Sequence, residues 1–142
     1  MKRRTALGWP LVLVLAAAVF CALWQAALHD RSDLEDLAQA EAGKAYTCFL
    51  DYQEMGYAED YWGGVAAFSA FQDVYGMLTE NTEKATNHIT CGRLYGALLA
   101  APEKARAHIP EMIEIMDILF QNITDETAYG KMSALCNALE KS

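Results

Sequence analysis

Residues 7–28 read LGWPLVLVLAAAVFCALWQAAL, with three bases, Lys2, Arg3 and Arg4, just ahead of them. From Ala6 to Trp24 no residue is charged, and Gln25 is the only strongly polar side chain as far as Leu28. A helix that crosses a bilayer needs about 20 mainly apolar residues. A secretory signal has a shorter apolar core, about 7–15 residues, followed by a small-x-small cleavage site. The candidate cuts do not fit. Cleavage after Ala26, Ala27 or Ala22 puts Trp24, Gln25 or Phe20 where a small side chain is required, and Ala16-Ala17-Ala18 lies inside the apolar core. Cys21 follows Phe20, not the small residue that precedes a lipidated cysteine. Leu13 stands where a pilin-like leader needs a glutamate. The segment therefore reads as an uncleaved transmembrane anchor over residues 7–28, with Trp9, Leu11, Leu13, Leu15, Phe20, Leu23 and Trp24 as its apolar side chains.

Charge sets the expected orientation. Basic flanks stay on the cytoplasmic side, and the flank beyond the segment, HDRSDLEDLAQAE, is mostly acidic. Residues 1–6 are thus expected to be a short cytoplasmic tail and residues 30–142 an extracytoplasmic domain of a single-pass cell-membrane protein. No later run is as apolar: Ile109 to Ile123 is interrupted by Pro110, Glu111, Glu114 and Asp117. All 19 acids and 8 of the 11 Lys and Arg residues lie after residue 29, leaving that part at about −11. Such a charge argues against nucleic acid and against anionic lipid heads.

Beyond residue 29 the pattern is helical throughout. Leu34, Leu37, Ala38, Ala45, Cys48, Phe49 and Tyr52 recur at three-four spacing, after a capping box at Ser32-Asp33-Leu34-Glu35, and the segment should stop near Gly56. A second helix is expected over 59–79, or from after Gly64, since two glycines inside a helix each cost about 1 kcal/mol. A third is expected from a cap at Asn81 or Thr82 to about Ala100. A short segment opens with Pro102, and a fourth main helix has Pro110 in its first turn. Thr124 or Asp125 should cap a last helix to about Glu140. The expected fold class is all-α: an N-terminal transmembrane helix followed by a compact four- or five-helix antiparallel bundle.

Chemical signatures are sparse. His88 and Cys91 are three apart, so they share a helical face, with Tyr95 one turn on. A soft metal or small ligand could use them, with Cys48 or Cys136 from a neighbouring helix. The competing reading is a polar-edge histidine beside a core cysteine. Met112, Met116 and Met132 could hold copper(I), but methionines at helical spacing usually fill cores. No Glu-x-x-His pair, haem attachment motif, nucleophile elbow or phosphate loop is present, so neither a cofactor nor an enzymatic activity is expected. With Cys21 in the apolar segment, Cys48, Cys91 and Cys136 remain. They read as buried hydrophobes, or as one disulfide of open pairing plus a free thiol. The aromatic stretch DYWGGVAAF, with Tyr57, Tyr61 and Trp62, is the candidate interaction surface, because Tyr and Trp are enriched at interfaces.

The MKRR start, the apolar segment, and Trp62 followed by amphipathic helices together resemble small bacterial membrane-anchored helical proteins. That resemblance implies an envelope location and a helical fold, not an activity. The function expected is a non-catalytic interaction or scaffold module at the cell envelope with a protein partner. The alternative is a ligand- or metal-binding carrier with a pocket near His88, Cys91 and Tyr95.

Overall fold

The computed structural model describes the backbone of residues 8–141 and the side chains of residues 19–141. Among the described residues there are six helices and no strand: α1 (Gly8–Met55), α2 (Ala58–Thr79), α3 (Ala85–Ala100), α4 (Pro102–Arg106), α5 (Ile109–Gln121) and α6 (Glu126–Lys141). The chain divides into two compact units, Met1–Asp33 and Leu34–Ser142.

In the first unit the expected anchor is corrected. Among the described residues no helix is long and apolar enough to cross a membrane. The apolar side chains described there include Val19, Phe20, Leu23, Trp24 and Leu28. His29, Asp30, Arg31 and Asp33 follow in the same helix. Phe20, Leu23 and Trp24 are exposed, and the Phe20 and Trp24 rings lie 6.1 Å apart. The side chains of Trp9, Leu11, Leu13 and Leu15, and all of residues 1–6, lie outside the described residues. The finding overturns the single-pass anchor, the membrane partner, and the cytoplasmic and extracytoplasmic assignments that depended on it. Ser32 is not a helix start either: α1 runs through it, because no glycine or proline interrupts the chain from residue 11 to 42.

In the second unit the helices enclose one core. Helix α3 packs on α2, α4 and α6, and α6 also packs on α5. The α1 segment from Leu34 closes the ring between α2 and α5. On the α2 side Phe49 sits against Gly64. On the α5 side Phe120 sits against Gly43, and Gln39 donates to the Gln121 carbonyl at 3.4 Å. Ala38, Ala42, Ala45 and Phe49 of α1 are fully buried, the stripe that three-four spacing places on one face. Tyr61, Phe68, Phe71 and Tyr75 of α2, Leu94 and Leu98 of α3, and Met112, Ile115, Met116 and Leu119 of α5 fill the centre. Burying each such side chain is worth about 1.5–3 kcal/mol, so this layer is the main source of stability.

Local chemistry marks the breaks. Gly56 takes φ 74°, a left-handed conformation that side chains disfavour, and its N–H donates to the Tyr52 carbonyl at 2.8 Å. Only Gly56 and Tyr57 connect α1 to α2. Asn81, at φ 61°, turns the chain after α2, and the Thr82 hydroxyl donates to the Thr79 carbonyl. Helix α3 therefore starts at Ala85, not at the expected cap. Pro102 and Pro110 both open helices, and Asp125 accepts the Thr127 N–H at 2.8 Å as the N-cap of α6.

Candidate functional site

The corner between α1 and α2 carries the aromatic candidates. Its construction begins at the two glycines. A Cβ on Gly64 would come to 2.6 Å from Phe49 Cε1, and one on Gly63 to 3.2 Å from Cys48 Sγ. Both residues must be small for α2 to lie this close to α1, which is why a Gly-Gly pair sits inside a helix. The close approach seats Tyr61 between the two helices.

Tyr61 has no exposed surface and belongs to the core, a correction to its expected place on an interaction surface. Its hydroxyl donates to the Leu98 carbonyl at 3.0 Å, tying α2 to α3. Its ring meets Phe49, Tyr52 and Trp62 edge-on at 6.2, 5.7 and 5.1 Å. The Arg106 guanidinium of α4 lies 5.0 Å from the ring centre and 5.9 Å from that of Tyr52, and donates to Glu103 at 2.8 Å. Burial pushes the Tyr61 hydroxyl up to about 12, with the Arg106 charge opposing the shift.

Three large apolar side chains of this corner are exposed. Met55 is 60% exposed, Tyr57 54% and Trp62 42%. Trp62 is held against the fixed Tyr61 ring, so its outer face is presented on a rigid base. Cys48 lies beneath, half-buried. Its thiol is pushed up by burial, then by the charges of Asp51 and Asp60.

His88 and Cys91 part company in the fold. The His88 ring lies on Gly76, where a Cβ would come to 2.8 Å from Nε2. It lines an open groove of about 490 Å³ with Asp73, Met77 and Glu80. Cys91 points into the core, its Sγ donating to Met132 Sδ at 3.8 Å, and burial pushes its thiol up to about 12. Tyr95 packs against the edge of the core, and Cys136 is buried with its thiol raised by burial. Met112, Met116 and Met132 are all fully buried core side chains. Among the described residues no three His, Cys, Asp or Glu side chains converge as metal ligands. The four cysteines are free thiols.

Two contributors to the aromatic corner left no local signal in the sequence. Arg106 sits in a five-residue helix far along the chain from Tyr61, and Met55 reads as an ordinary helix-end residue. A scan against protein-family models gives no match to this chain, and neither do searches among curated proteins and solved structures.

Proposed function

We propose that the Leu34–Ser142 unit is a non-catalytic protein-interaction module, and that its docking surface is the α1–α2 corner formed by Met55, Tyr57 and Trp62. The observation that carries this reading is the exposure of three large apolar side chains on a base that cannot yield. Phe49 of α1, Tyr61 of α2 and Arg106 of α4 hold that base. Aromatic anchors on rigid supports dominate protein interfaces, because little side-chain freedom is lost on docking. Photo-crosslinking in the native cell tests it. A benzoylphenylalanine at position 57 or 62 should trap one discrete protein species, and Tyr57→Ala in the position-62 protein should reduce the yield. Ile89, more exposed than either and on α3, is the control. Equal adducts from all three positions, or none, would sink the reading.

A second reading has one observation in its favour. His88 lines an open groove with two carboxylates nearby, as a small cationic ligand would require. Under that reading His88→Ala abolishes ligand binding and leaves the melting curve in place. A loss of stability without any ligand effect would make His88 a packing residue over Gly76.

A further inference from the structure

We infer that the segment docking on the α1–α2 corner is basic: a stretch of protein presenting Lys or Arg beside an apolar side chain. The inference rests on the interaction reading above and names its partner's chemistry. Between Lys44 and Lys84 the chain contains no Lys, Arg or His, and seven acids. Four of them, Asp51, Glu54, Glu59 and Asp60, flank Met55, Tyr57 and Trp62 on the end of α1 and the start of α2. Asp51, Glu54 and Glu59 are exposed and Asp60 is half-buried. Among the described residues none of these four is in an ion pair, whereas Glu41, Glu103, Glu114, Glu126 and Glu140 all are.

Helix α4 brings Glu103, Lys104 and Arg106, and Arg106 is committed to Glu103 and to the Tyr52 and Tyr61 rings. Asp51 and Asp60 belong to different helices, and the charges of both raise the Cys48 thiol. An apolar partner without positive charge would cover these acids and leave them desolvated and unpaired. A partner carrying Lys or Arg meets them with opposite charge, and the outer face of Trp62 is the best ring surface for such a cation. A second copy of the chain is the poorest occupant. A two-fold interface brings the same patch against itself, here four carboxylates against four.

The test is selection from a random display library of peptides about 12 residues long, against the immobilised full-length chain. Three variants run beside the parent: Trp62→Ser, Tyr57→Ser, and Asp51→Asn with Glu54→Gln, Glu59→Gln and Asp60→Asn. Each variant's melting curve confirms its folding, and Trp62→Tyr serves as the conservative rescue. The expected result is a set of peptides enriched in Lys and Arg. Their binding falls at least about tenfold with Trp62→Ser and with the neutralised acids, and weakens as salt rises from about 50 to about 500 mM. Peptides that need Trp62 but are neutral or acidic would overturn the basic partner and leave the interaction reading standing. Retention that ignores both Tyr57 and Trp62, or no retention at all, would overturn both. A native mass showing a dimer that Trp62→Ser dissolves would assign the corner to self-association and overturn the basic partner.

Discussion

Single residues decide how closely the helices meet. Gly64 and Gly96 are both helical glycines, and their environments are opposite. A Cβ on Gly64 strikes the Phe49 ring, which is itself fully buried, while around Gly96 nothing lies within 4 Å. Overpacking of this kind costs about 1–3 kcal/mol, against the roughly 1 kcal/mol that alanine gains over glycine in a helix. Gly64→Ala should therefore lower the melting temperature, and Gly96→Ala should raise it. A chemical denaturation series on both variants checks the pair, and equal shifts would refute the argument from space. Tyr61→Phe keeps the ring stack and removes the hydroxyl, leaving the Leu98 carbonyl without its partner. The expected loss is about 1–2 kcal/mol. A neutral result would mean that α2 and α3 are joined by packing alone.

At the scale of elements, helix starts are set by short side chains and helix contacts by buried faces. Asp125 satisfies the Thr127 N–H at the start of α6, and this contact and a second from the Thr127 side chain hold its carboxyl below the usual carboxylate range. Asp125→Ala should lower the melting temperature by removing the N-cap, with early loss of amide protection confined to the first turn of α6. Surface links to α6, from Arg93 of α3 to Glu140 at 2.8 Å and from Lys84 just before α3 to Glu126 at 3.7 Å, are exposed. Each is worth little, and both should fade in salt without separating the helices. Helix identity was readable from spacing: the proline-opened starts, the glycine stop at residue 56 and the α6 cap all follow from local chemistry. Helix α1 was misjudged at Ser32. A capping box is only a competing local option, and a helix already running through it has no orphan N–H for the serine to satisfy.

For the whole molecule, buried thiols and phenols set how stability responds to alkali, Tyr61 and Cys91 among them. The Tyr61 hydroxyl moves from 10.0 to about 12 and the Cys91 thiol from 9.0 to about 12, both through burial. Above pH 9–10 the unfolded chain releases these protons while the native state keeps them. The native state then binds more protons, so stability falls as pH rises. Their contribution is present below about pH 9 and is lost by about pH 12. Denaturation midpoints measured across that range should decline, and Cys91→Ala should flatten the first part of the decline. Thiol reagents should report the same burial at neutral pH: Cys21, exposed, reacts first, and Cys91 reacts only as the domain opens. Among the described residues the buried core lies wholly in the Leu34–Ser142 unit. A chain of residues 34–142 should unfold cooperatively with nearly the midpoint of the full protein, as read by circular dichroism.

The amino-acid order alone determined an all-helical chain, most of its helix ends and an acidic composition. These are local properties, set by periodicity, caps and composition. It did not determine what Tyr61 does. Three aromatics within six residues share one composition signal, and only packing separates Tyr61, locked under Arg106, from Tyr57 and Trp62, left outside. The same holds for His88 and Cys91, where equal spacing on one helix ends in an open groove for one and the core for the other. The apolar N-terminal run reads from hydropathy as a membrane span, and among the described residues no helix is long and apolar enough to cross a membrane. Hydropathy weighs residues one by one. Which of them lies buried, braced or bare depends on neighbours brought together from distant parts of the chain, and that only the tertiary structure decides.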